Sequence, residues 1–166
     1  MTLEEMVDAH AVDVRRYLYR RLVGAADPAS TADDLSADVL VVAWRRRADI
    51  PAGAELPWLY AVARRVLANY RRRPQDVLVA DLGALDAIDE ADPAEIVTDD
   101  AALADAWRSL SPRDREVLRL VAWEGLTGSE LATALGISEG GAAAALSRAR
   151  SRFEESLAGV QGMPLS

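Results

Sequence analysis

The chain has 166 residues, 51% hydrophobic and 28% charged, a globular profile with room for one ordinary domain or two small ones. It holds no cysteine and one histidine, His10, which excludes disulfide scaffolds, thiol catalysis, Cys-ligated zinc or iron–sulfur sites and any His-rich metal site. The net charge is −8, but residues 1–75 carry 12 arginines against 10 acids and residues 105–166 carry 7 arginines against 8 acids, while residues 76–104 carry 9 acids and no base. The acidic excess therefore sits in the middle segment, and a global charge would mislead about what either flank can bind. The longest strongly apolar run is Val39-Leu40-Val41-Val42-Ala43-Trp44, far short of the ~20 residues that span a bilayer. The opening Met1-Thr2-Leu3-Glu4-Glu5 has neither a basic region nor an apolar signal core, so an intracellular, cytoplasmic protein without membrane insertion is expected.

Leu3, Met6, Val7, Val14, Tyr17, Leu18 and Leu22 recur at helical spacing and predict a long opening helix, broken at Asp27-Pro28 and Ser30. Thr31, with Asp34 three residues on, reads as the cap of a second helix through Leu35, Val39, Val42 and Ala43. Residues 51–57, bounded by Pro51 and Pro57, read as a loop, and a third helix runs from Trp58 to about Arg73, where Pro74 stops it. Beyond Gln75 the chain turns rich in Asp and Ala, with Gly83 and Pro93 and no sustained period, as in a linker.

A lead-in helix follows from Ala101 to about Leu110. Ser111, Pro112 and Asp114 cap the next, which carries Val117, Leu118, Leu120, Val121 and Trp123 and ends at Gly125. Thr127 and Glu130 form a second capping box, Gly136 supplies a tight turn, Ile137 packs inward, and Ser138 caps a last helix to about Leu157. The expectation is an all-α protein of two small helical domains, residues 1–75 and 103–160, joined by an acidic linker over 76–102, with a short tail at 161–166.

Helix, glycine turn and helix, with Ile137 after Gly136, form a helix-turn-helix pattern, which points to nucleic acid more than to a purely structural bundle. The run from Leu110 through Arg113, Arg115 and Leu118, then Leu126 to Ala132, Leu135 to Ser138 and Leu146 to Arg150, resembles both the C-terminal domain of sigma factors and the DNA-binding domain of LuxR-type regulators. On that segment alone both remain open. In the first unit, Asp33-Asp34-Leu35 followed by Val39-Leu40 and Ala43-Trp44 is similar to the polymerase-binding helix of sigma region 2. Trp58-Leu59-Tyr60-Ala61-Val62-Ala63-Arg64-Arg65, followed by Asn69 and Arg71-Arg72-Arg73, is similar to that region's −10-binding helix. Together with the acidic linker, these motifs resemble an extracytoplasmic-function (ECF) sigma factor of the sigma-70 family over roughly residues 3–75 and 103–157.

The resemblance implies that the chain binds core RNA polymerase, through the β′ clamp helices and the β flap, as well as promoter DNA and an anti-sigma factor. It places −10 contacts at Trp58, Tyr60, Arg64 and Arg65 and at Asn69, Arg71, Arg72 and Arg73. Arginines that neutralise phosphates beside aromatic faces that stack bases suit a melted strand, although Trp58 itself reads more readily as core. Polymerase contacts fall on Asp33, Asp34, Asp38, Arg45 and Arg46, against the plain reading of a solvated helix face. The linker's charge would lie in a basic channel meant for RNA.

Contacts to the −35 element fall on Arg113, Arg115, Ser138 and Glu139 and on Ala143, Ser147, Arg148 and Arg150, with Arg119 and Arg152 as further backbone contacts. Here the family usually has basic residues, whereas this chain has Gly140-Gly141-Ala142-Ala143-Ala144-Ala145. The bidentate pairs that discriminate bases by ~1–3 kcal/mol each are missing from its first two turns. Lysine and arginine at Ala143 and Ala145 are expected to restore duplex affinity. A sigma factor with weak −35 reading is therefore expected, with two alternatives: a sigma-like interaction protein that occupies polymerase or an anti-sigma factor, or a LuxR-type regulator. No phosphate loop, nucleophile–base set or paired carboxylates stand out, so no enzyme, cofactor or metal is expected.

Overall fold

A computed structural model describes residues 2–72, 96 and 98–162. The linker core, Arg73 and the last four residues of the tail, for which expectations were set out above, lie outside the described residues. The described residues are helical throughout, with no strand among them.

The first lobe contains α1 (Leu3–Arg21), α2 (Pro28–Arg45), a short 3-10 turn (Arg47–Asp49) and α3 (Glu55–Arg72). Thr2 and Glu5 close a reciprocal capping box at the start of α1, at 3.2 and 2.6 Å. α2 begins three residues before the expected Thr31 cap. Asp27 accepts the Ser30 N–H at 3.1 Å and Pro28 takes the first helical position, where its missing donor costs nothing. α3 likewise starts earlier than expected, because Pro57 lies inside its first turn, where no intrahelical N–H is needed. The three helices pack on one another around Val14, Leu18, Leu35, Val39, Leu59 and Leu67, all 4% exposed or less.

The second lobe contains α4 (Ala101–Ser109), α5 (Pro112–Ala122), α6 (Gly128–Leu135) and α7 (Glu139–Gln161). α4 starts just inside the stretch read as linker, capped by Asp100. Ser111 and Ser138 cap α5 and α7 through their hydroxyls, each at 3.1 Å, and Glu130 returns to the Thr127 N–H at 3.2 Å. Gly136 ends α6 at φ +67°, the left-handed region that glycine enters without a Cβ penalty, and so sets the turn of the helix-turn-helix. α7 packs on α4, α5 and α6 through Ala142, Ala145 and Ala149, and runs about a turn further than the sequence suggests.

The two lobes touch, chiefly through α3 against α6, and their apolar cores merge into one cluster. α3 shows this most directly. Residues 59–63 and 66–68 are all buried, more than a single core-facing stripe can account for, because the helix is covered from both sides.

Candidate nucleic-acid interface

α3 brings the residues of the expected −10 face together, but unequally. Trp58 is half-buried at the edge of the core, with the Arg46 guanidinium 6.0 Å from its ring centroid. Arg65 is half-buried beside it. Burial, and then the charges of Arg46 and Arg64, lower its pKa, so this corner is a local concentration of positive charge. Arg72 is exposed, donating to the Ala68 carbonyl at 3.2 Å and to Asn69 at 2.9 Å. These groups can hold phosphates beside an aromatic edge.

Tyr60 corrects the expectation. It is 3% exposed and stacks on Tyr17, with centroids 5.1 Å apart, so it is a core residue that cannot stack a base. A run apolar on every side gives no clue to which aromatic faces outward. Arg64 and Arg71 are turned inward as well. Arg64 donates to the Ala134 carbonyl at 3.0 Å and pairs with Glu116 at 3.8 Å, and Arg71 donates to the Arg21 carbonyl.

On the helix-turn-helix, α7 presents Ser138, Glu139, Ala143, Ser147, Arg148 and Arg150 to solvent. Its first two exposed turns carry no side chain able to make a bidentate base contact, and Ser138 already accepts the Gly141 N–H. Ala145, one of the two positions expected to accept a basic residue, is 6% exposed and faces the lobe core. Arg113 is exposed, whereas Arg115 and Arg119, 5% and 1% exposed, are structural. Arg115 donates to the Leu110 carbonyl, and Arg119 lies between the Trp107 and Trp123 rings at 5.4 and 5.3 Å. A phosphate cannot reach either one here. Arg152 is half-exposed and chelates Asp114 at 2.8 and 3.1 Å.

α2 carries the third face. Asp34, Asp38 and Arg45 are exposed on one side, Asp33 pairs with Arg15 at 2.5 Å, and Arg46 pairs with Asp49 at 2.9 Å. Val41 and Trp44, 46% and 56% exposed, extend that face and were missed by the charge-based reading. Their signal was available: they lie three apart within a six-residue apolar run, too many apolar positions for one buried stripe.

Two helical lobes, the second with a helix-turn-helix, define a two-domain transcription-factor architecture. Residues 6–77 match sigma-70 region 2 and residues 100–153 match sigma-70 region 4. The chain is 33% identical over 154 residues to the ECF RNA polymerase sigma factor SigF of Caulobacter vibrioides, covering 91% of this chain and 83% of that protein. It is 32% identical over 142 residues to the ECF sigma factor BldN of Streptomyces coelicolor, covering 81% of this chain but only 52% of BldN, about half that protein's length. The fold is similar to that of the sigma factor RpoE from Bartonella quintana, solved with the anti-sigma factor NepR, at a TM-score of 0.54 and 21% identity over 93% of this chain and 95% of that one. The chain belongs to the ECF group of the sigma-70 family.

Proposed function

We propose that the chain binds core RNA polymerase in the bacterial cytoplasm and directs it to promoters, melting the −10 element and starting transcription. The observation that carries this reading is the joint presence, in family order, of a mixed apolar and charged α2 face, an arginine-rich α3 with Trp58 at its head, and a helix-turn-helix. The α2 face, with Asp34, Asp38, Val41, Trp44 and Arg45, meets the β′ clamp helices. The β flap meets the second lobe, beside an apolar cavity of about 640 Å³ that Leu103, Trp107, Leu118 and Phe153 line together with Tyr19 and Val23 of the first lobe. Trp58, Arg65, Asn69 and Arg72 hold the melted −10 strand, joined by Arg64 once the lobes part. Arg113, Arg148 and Arg150 contact the −35 backbone. An anti-sigma factor that hides these faces fits the same surfaces, and no catalytic step, cofactor or metal is assigned.

A second reading is favoured by one observation, the alanine-lined outer face of α7: a sigma-like protein that occupies polymerase or an anti-sigma factor without reading a −35 element. Run-off transcription with purified core polymerase on fragmented genomic DNA separates the two. Discrete new starts sharing a −10 sequence are expected. Tight polymerase binding without specific transcripts would establish the second reading instead.

A further inference from the structure

The cavity of about 640 Å³ beside the end of α1 has the size of a pocket for a small organic molecule, a class that runs from about 300 to 1,000 Å³. Rigid side chains keep it open. Trp107 of α4 and Phe153 of α7 meet edge to face, with centroids 6.2 Å apart, and Arg119 is held between the Trp107 and Trp123 rings. Rings braced in this way have few rotamers with which to fill the space. Tyr19, Val23 and Trp123 line the cavity while remaining 43%, 37% and 37% exposed, so a solute can reach its apolar wall. Clustered exposed apolar groups of this kind mark binding surfaces.

The charge around the cavity runs against that of the chain. The protein carries 27 acids against 19 arginines, yet the described lining holds three arginines and no acid. Arg119 is committed to the tryptophan rings, and Arg20 to the Trp123 carbonyl at 3.1 Å and Glu124 at 3.5 Å. Arg150 is different: it is exposed, and it makes no ion pair among the described residues. It stands one turn before Phe153, on the same face of α7. Trp107, 7% exposed, adds an indole N–H that has no acceptor among the described residues. A buried donor of this type ordinarily has a partner. A carboxylate has an oxygen for each of these two donors.

We propose that the cavity binds an amphipathic carboxylate, a fatty acid of about twelve carbons. Its head group sits on Arg150 and the Trp107 N–H, and its chain lies along Leu103 and Leu118 toward Tyr19 and Val23 at the end of α1. The site stands on the cavity and does not depend on the sigma-factor reading. The full chain is titrated calorimetrically with dodecanoate below the concentration at which it forms micelles. One molecule per chain is expected, bound about tenfold tighter than decanoate, which lacks two methylenes. Dodecyltrimethylammonium, with the same tail and the opposite charge, is expected to bind at least tenfold more weakly than dodecanoate. Arg150→Gln should weaken dodecanoate at least fivefold, with helix content by circular dichroism unchanged. Leu103→Trp fills part of the cavity and is expected to abolish binding. If that variant loses its fold, Val23→Glu sets an acid at an exposed point of the wall and is expected to weaken binding at least fivefold. Contact is read with 12-bromododecanoate, whose bromine quenches nearby tryptophans. In a Trp44→Phe, Trp58→Phe chain only Trp107 and Trp123 emit, and a saturable loss of their fluorescence is expected.

No saturable binding of dodecanoate overturns the ligand site and leaves the cavity as a seat for a protein segment. Binding without quenching, or binding undiminished in both Arg150→Gln and the cavity variant, puts the molecule elsewhere and overturns the site as well. Equal affinity for the ammonium amphiphile overturns the carboxylate assignment. None of these outcomes bears on promoter-directed transcription, which the run-off assay reads separately.

Discussion

On α7, Ala145 packs into the lobe core at 6% exposure while Ala143, two residues earlier, faces solvent. Ala145→Arg places a guanidinium where the lobe offers no water, and is expected to destabilise the protein by about 3 kcal/mol or more, read from the midpoint of urea unfolding. Ala143→Lys adds a cation on the outer face and is expected to stay within about 0.5 kcal/mol of wild type. Its effect should appear in duplex binding, where each new phosphate contact steepens the plot of log affinity against log salt by about 0.9. An unchanged slope would mean that this face does not approach DNA. The helix itself was legible from its Ser138 cap and its length, but its phase was not. A run of Gly and Ala carries no contrast between polar and apolar positions, so only packing against α4, α5 and α6 reveals which alanines are core. Tyr60 illustrates the opposite case, where too many apolar neighbours hid its inward direction.

At the scale of the element, α2 separates two competing start signals. Thr31 with Asp34 satisfies the capping-box pattern, yet Asp27 makes the bond, because Pro28 fixes a helical φ and commits the chain four residues sooner. Asp27→Ala is expected to cost about 1 kcal/mol, with Thr31→Ala close to neutral, in thermal melts of the two variants. Equal losses would move the cap to Thr31. The same helix shows how far charge alone leads. Asp34, Asp38 and Arg45 marked the outer side correctly as exposed, but Val41 and Trp44 are the groups there with apolar area to bury. Trp44→Ala is expected to leave the melting temperature within a degree or two and to weaken core polymerase binding about tenfold in a fluorescence titration, as for a central aromatic in an interface. A loss of stability with unchanged polymerase affinity would instead make Trp44 a structural residue. Element order and type followed from periodicity and caps. The contact between α3 and α6 did not, because residues some 70 positions apart leave no local pattern in the sequence.

For the whole molecule, the charge that matters is the small set locked between the lobes rather than the net −8. Glu116 faces Tyr17 and Arg21 from α1 and Arg64 from α3, while Arg20 and Arg21 pair with Glu124. Burial alone pushes its carboxyl up, but Arg21, Arg64 and the hydrogen bonds from Arg21 and Tyr17 outweigh this and hold it below its ordinary value of 4.5. A carboxyl with a lower pKa in the closed form than in the open form favours closure wherever it is ionised. That contribution is complete above about pH 5, and it fades as pH falls through the ordinary value and then the lowered one. Energy transfer between dyes on α1 and α7 is therefore expected to stay flat from pH 7 to 5 and to drop below pH 4.5, with helix content by circular dichroism falling only at lower pH. In the Glu116→Gln variant the drop should shrink, since the titrating group is gone. A loss of transfer already complete at pH 5, where Glu116 is ionised in both forms, would assign opening to another group and remove Glu116 from the clasp.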